Sequence, residues 1–156
     1  MIFKYTWLKV VDGTKTQTRR LVKPGEKLMQ MERYSGGYTP LWVENAKQKR
    51  VYTVGTYFAV QPDRGRVALA RAFLTDIRRE DVRNISDEDV KAEGYAQIDE
   101  FFKAWCAMHD QPALREYDRR QQYAMDMSMR DFLIGKRPDN RYQAWVLTFH
   151  LARARK

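Results

Sequence analysis

Apolar residues recur along this chain in short bursts separated by polar and turn-forming stretches. Trp7, Leu8, Val10 and Val11 supply one face of a short helix, and Gly13 follows as its left-handed C-terminal cap. Leu28, Met29 and Met31 are too sparse to define an element, and Ser35-Gly36-Gly37 and Pro40 carry loop chemistry. Leu41-Trp42-Val43 reads as a short strand, and 45–50 as an exposed turn. Residues 56–62 and 67–77 predict two strands joined by a hairpin turn at Asp63-Arg64-Gly65-Arg66. On the first strand Tyr57, Ala59 and Gln61 share one face, with Phe58 and Val60 on the other. Ser86-Asp87-Glu88-Asp89 opens a helix in the manner of a capping box, and Gly94 stops it. A second amphipathic helix begins at Ile98, with Phe101, Phe102, Trp105 and Met108 forming a stripe read as core. A further helix of mixed charge over 113–134 carries Tyr117, Met125, Met129 and Phe132, and a turn at 135–140 leads to a closing strand.

One stretch departs from both periodicities. Gly13-Thr14-Lys15-Thr16-Gln17-Thr18-Arg19-Arg20 packs three hydroxyls and three cations behind a glycine and turns apolar only at Leu21 and Val22. A solvated edge strand explains it, since threonine favours strands and charge keeps edges from pairing. A surface that contacts something anionic or hydroxylated explains it equally. A chain leaving a glycine cap has no fixed alternation for a residue or two, so Lys15 and Thr18 can face the same side. Truncating either one, at a polar strand start, is expected to remove no core volume. Glu93 is the acid that its helix does not account for, because it lies at the carboxyl end, where the dipole disfavours negative charge. Trp42 is either a core residue or a stacking wall for a base.

Composition narrows the class. A chain of 156 residues forms one domain, 1–156, that can bury a core without disulfides or metals. The lone Cys106 points to a reducing cytoplasm, and no segment has the run of apolar residues that a membrane span needs. Cys106 and His109 are spaced like metal ligands, but with His150 the one other histidine and no second cysteine a zinc site is incomplete. No metal or cofactor is expected. The formal net charge of +9 favours an anionic partner, nucleic acid first, although it also serves solubility.

Residues 8–20 resemble the signature of the ASCH-domain family, in which a short helix ends at glycine and a Lys-Thr-x-Thr-x-Arg segment runs into the first strand. Blocks at 54–61, 77–95 and 144–149 are similar to further family blocks in the same order, in the layout of phage- and prophage-borne members with insertions near 23–50 and 111–140. The resemblance implies an α+β fold, a small, partly open PUA-like β-barrel with flanking helices. Within the family, the bacterial amidohydrolases acting on N4-acylated cytidines use a lysine, a threonine and a glutamate. The resemblance places these at Lys15, Thr18 and Glu93, and the segment's arginine at Arg20. Arg20, Arg19, Trp42, Tyr57 and Gln61 are the candidate substrate contacts, and a modified cytidine nucleoside is the implied partner. Other family members imply an alternative, an RNA- or nucleotide-binding module, with or without cleavage of single-stranded RNA, for which Arg64 and Arg66 are the candidate contacts. The loops could reshape the cleft, so the acyl group and the choice between nucleoside and polymer stay open.

Overall fold

The computed structural model describes residues 1–31, 41–123, 126–135 and 139–152. Helix α1 (Trp7–Val11) precedes strands β1 (Gln17–Leu21), β2 (Lys27–Gln30), β3 (Leu41–Glu44), β4 (Arg50–Thr53), β5 (Tyr57–Val60) and the long β6 (Ala70–Asp81). Helices α2 (Asp87–Ala92), α3 (Ile98–His109), α4 (Gln111–Gln121) and α5 (Met129–Ile134) follow, and β7 (Gln143–Leu151) is the last strand. The strands form two antiparallel sheets, ordered β1-β7-β6-β5 and β2-β3-β4. The α+β class is the one the sequence predicts, but the described strands do not close into a barrel. The chain changes sheets at Val54 and Gly55: the Val54 amide donates to Leu41 of β3, and the Gly55 amide to Leu74 of β6. Consecutive strands β4 and β5 are thereby left as outer strands of separate sheets.

The larger sheet is buried on both faces. Strand register places Arg19, Val146 and Arg78 in one row and Thr18, Leu147 and Ile77 in the next, and successive rows point to opposite sides. Leu21 and Ala144 share the Arg19 face and pack against the helices, in a core with Val90, Phe102, Trp105, Tyr117 and Leu133. The Thr18 face meets the smaller sheet through Leu74, Ile77, Trp145, Leu147 and Val43. Leu74 and Ile77 are three apart, which strict alternation would put on opposite faces. A bulge between Leu74 and Asp76 absorbs the extra residue and keeps both in that core. β1 is the outer strand of this sheet, so side chains from its two faces can meet around its free edge.

Local elements follow the sequence signals at most boundaries. Gly13 caps α1 with φ +83°, and Ser86 caps α2 by accepting the Asp89 amide at 3.1 Å. The departures have physical reasons. The 113–134 helix is two helices, α4 and α5, each with its own cap: Asp110 accepts the Ala113 amide and Ser128 the Asp131 amide. The second hairpin strand begins at Ala70 and continues to Asp81, while Val67 and Leu69 are exposed before it. Leu28 and Met29 do form a strand, held by pairing with Val43 and Trp42 rather than by their own apolar density. Arg50, read as turn, begins β4. Met108 is 59% exposed, so the α3 stripe ends at Trp105 on its core side. The expected turn residues Ser35, Gly36, Gly37, Pro40 and 136–138, Met125 and the basic tail 153–156 lie outside the described residues.

Candidate active site

The polar stretch that begins at Gly13 folds inward. The Lys15 amide donates to Lys9 of α1 at 2.7 Å, and the Thr16 amide donates to Ala92 of α2 at 2.9 Å. These bonds fix the lysine between two helix ends. Gly94 makes the close approach possible: at φ +88°, a side chain there would be strained, and its Cβ would lie 2.9 Å from Cδ of Lys9. Lys15 and Thr18 are 3% and 6% exposed, which overturns the expectation that truncating them removes no core volume.

Lys15 Nζ donates to Glu93 Oε2 at 2.6 Å and to the Glu93 carbonyl at 2.7 Å. The second bond places a cation on the last carbonyls of α2, where the helix dipole favours it. Glu93, disfavoured there by the dipole, is held instead by the two cations around it. Its other oxygen, Oε1, accepts from Arg19 at 3.2 Å. Arg19 in turn reaches Glu80 at 3.0 Å and Asp89 at 2.8 Å, and Arg78 closes the network on Glu80 and Asp89 from its more exposed side. Asp89 therefore does not complete the capping box that its spacing predicts: Ser86 accepts its amide, while its carboxylate is taken by two arginines.

A cleft of about 290 Å³ at the β1 edge is lined by Lys15, Thr18, Arg19, Arg20 and Glu93. Thr18 and Arg20 reach it from one face of β1 and Arg19 from the other. Thr18 makes no side-chain hydrogen bond among the described residues, whereas Arg20 donates to the Ile2 carbonyl at 2.7 Å and lies 5.4 Å over the Phe3 ring. The opposite wall is aromatic, with Tyr95, Phe101, Trp105 and His109. Trp105 is pinned by its indole N–H on the Arg141 carbonyl at 2.9 Å, and His109 packs 4.4 Å from the same ring.

Burial pushes the Lys15 amine below its ordinary range, against the upward pull of the Glu93 carboxylate, and Arg20 and Arg19 lower it further. Burial also lowers His109, assisted by Arg20, and raises the Tyr95 phenol, assisted by Glu93. A lysine held below its usual pKa, with a carboxylate fixing its direction and a threonine lining the same cleft, has the parts of an activated nucleophile.

The remaining sequence candidates lie elsewhere. Trp42 is buried in the smaller sheet under the Arg50 guanidinium at 4.3 Å and lines neither this cleft nor the cavity beside it. Gln61 hydrogen-bonds the Arg66 carbonyl at 3.0 Å within its own loop. Arg64 and Arg66 are exposed on that loop. Tyr57 is exposed at the edge of a second cavity, which Arg20 also lines. The aromatic wall on α3 was hidden by its own periodicity, because a stripe that builds core and a stripe that lines a cleft share one spacing. Glu80 and Arg78 fall in the 77–95 block of the family resemblance, but nothing there marked them as site residues.

The site thus defines an α+β protein with a buried lysine–glutamate–arginine cluster at the open edge of a sheet. No family model matches the chain, and no curated protein matches it. Among solved structures, the crystal structure of protein EF3133 from Enterococcus faecalis V583, of family DUF984, aligns at TM-score 0.47 with 13% identity, covering 96% of this chain and 73% of that one.

Proposed function

We propose that this chain is an ASCH-type amide hydrolase that removes the acyl group from an N4-acylated cytidine. The observation that supports it is the meeting of Lys15 and Glu93 at 2.6 Å in a cleft that Thr18 also lines, from positions 78 residues apart. In this reading the Thr18 hydroxyl oxygen attacks the amide carbonyl carbon while its proton passes to the neutral Lys15 amine. The carbon–nitrogen bond then breaks, and the Lys15 ammonium returns that proton to the departing exocyclic nitrogen. Water attacks the acyl-threonine, gives a proton back to the threonine oxygen through Lys15, and the acyl group leaves as a carboxylic acid. Glu93, engaged on both oxygens, orients the Lys15 amine rather than delivering a proton itself. The aromatic wall suits a flat base, and Arg20 suits a carbonyl or phosphate oxygen. No helix among the described residues is long and apolar enough to cross a membrane.

The second reading is an RNA- or nucleotide-binding module, favoured by the +9 charge and the exposed Arg64 and Arg66. The two separate on one assay. Purified protein given N4-acetylcytidine is expected to release cytidine. Lys15→Arg, which keeps the charge but cannot act as a base near neutral pH, is expected to slow release by about 10²- to 10⁴-fold. Full rates from that variant would reduce Lys15 to a substrate holder, and wild-type protein inert on acylated cytidines would favour the binding module.

A further inference from the structure

The second cavity lies where the two sheets fail to meet. β4 and β5 are both outer strands, and the seam between them encloses about 490 Å³. Tyr52 and Thr53 enter it from β4, Tyr57 from β5, and Thr56 from the connection between them. Ile2 and Arg20 line both the seam and the candidate active site, so the two spaces share a wall. Arg20 spends one terminal nitrogen on the Ile2 carbonyl, but its Nε is buried with no partner. A guanidinium donor without an acceptor is costly when desolvated, and Nη1, which makes no hydrogen bond among the described residues and is not closed off as Nε is, is the donor that a ligand oxygen at that wall would take.

The rim adds a flat surface and more positive charge. Tyr57 packs 4.9 Å from Phe73 and carries the Arg71 guanidinium 5.3 Å over its ring, leaving much of the tyrosine exposed at the seam. Two acids bear on the lining: Glu93 acts on Arg20 but is held by Lys15 and Arg19, and Glu26 acts on Tyr52, with its Oε2 taken by the Trp145 indole at 2.8 Å and the Lys23 amide at 3.0 Å. An aliphatic acyl chain in the seam would leave the Arg20 donor and the Thr53 hydroxyl without partners, the Thr56 hydroxyl being already engaged on the Thr53 carbonyl at 2.6 Å. An oxyanion followed by a planar ring matches them.

We propose that the seam is a second subsite, which takes a phosphate borne on the ribose, and the ring attached beyond it, when the base occupies the first cleft. The substrate is then an acylated cytidine within a nucleotide or short strand rather than the free nucleoside. This rests on the hydrolase reading for what occupies the first cleft.

Titration calorimetry with the full chain tests it, using cytidine, cytidine 3′- and 5′-monophosphate and the unreactive dinucleotide cytidylyl-(3′→5′)-uridine. One of the two monophosphates is expected to bind about tenfold more tightly than cytidine, an advantage that shrinks as salt rises. The dinucleotide is expected to gain about tenfold more through stacking on Tyr57. Tyr57→Ala should remove that last gain and leave the phosphate gain. Val51→Trp, at an exposed seam position, should remove both by filling the space. Equal affinity for cytidine and every phosphate-bearing ligand, or binding of none, overturns the subsite. Acyl release is measured in parallel. A phosphate preference without release sinks the hydrolase reading and keeps the subsite, and release without the preference does the reverse. A rate that climbs with acyl length and ignores phosphate assigns the seam to the acyl group and overturns the proposal.

Discussion

Two pairs of arginines look alike in the sequence and end in opposite settings. Arg19 and Arg20 follow a run of threonines on β1, and Arg64 and Arg66 flank a glycine in the loop after β5. Arg19 is almost wholly buried, with Glu80, Asp89 and Glu93 all within 3.2 Å of its guanidinium. Neither Arg64 nor Arg66 makes a side-chain hydrogen bond or ion pair among the described residues. The difference is made by carboxylates 61 to 74 residues downstream of Arg19, which the topology returns to its guanidinium. Positive charge by itself is therefore no guide to a contact surface here. Acids hold Arg19 in place and the Ile2 carbonyl holds Arg20, whereas the exposed pair meets only solvent and whatever approaches from it.

The sharpest way to break that comparison is Arg19→Met, which keeps much of the side-chain length and removes the charge. Glu93 would keep Lys15, but Glu80 and Asp89 would lose a buried partner. Arg78 stays on both acids from its more exposed side, so the loss expected in urea unfolding is about 2–3 kcal/mol, below that of a fully uncompensated buried charge. Adding Glu80→Gln and Asp89→Asn should recover part of it, because the orphaned charges go with the cation. A loss no larger than that of an ordinary surface substitution would mean that water already compensates these carboxylates.

A gentler test sharpens the same contrast through pH. Lys15 faces Glu93, which favours the ammonium, and Arg19 and Arg20, which disfavour it, with burial as the largest influence and directed downward. Hydrolysis should rise with pH as Lys15 loses its proton, with a midpoint below the ordinary 10.5. The unfolded chain binds more protons than the folded one between that midpoint and 10.5, so this group's contribution makes stability increase with pH across the window. Arg19→Lys, which retains the charge without the fork, should move the rate midpoint less than Arg19→Met, which should move it upward by freeing Glu93 to hold the ammonium. A midpoint that stays put in both variants would confine Arg19 to tying α2 to the sheet.

Much of the fold was legible because its signals are local. The glycine cap at Gly13, the serine cap at Ser86 and the alternation of β5 each depend on residues within one turn or strand. What escaped was set by distance. Leu28 and Met29 become a strand only because Val43 and Trp42 arrive opposite them. The α4–α5 break depends on caps at Asp110 and Ser128 that a mixed-charge helical pattern conceals. At the site, Lys15, Thr18 and Glu93 were named through a family resemblance and do share a cleft. Burial of Lys15 was not foreseeable from a stretch so polar, since the acid that makes burial tolerable, Glu93, lies 78 residues away at the end of α2. Trp42 was the converse: of its two readings, core residue or stacking wall, its burial in the smaller sheet leaves the first.

The smallest expected effect completes the comparison from its exposed side. Arg64→Ala with Arg66→Ala removes two charges that hold no partner among the described residues, so melting should shift by less than about 2 °C. Acyl release from N4-acetylcytidine should be unchanged, because neither side chain lines the cleft or the seam. Binding to single-stranded RNA is the one property through which this pair can show itself. If the loop touches phosphate, the double variant should lower the slope of log affinity against log salt by about one to two, since each neutralised phosphate releases a counterion. An unchanged slope would confine nucleic-acid contact to the cleft and seam, and would leave the loop arginines as charge that serves solubility alone.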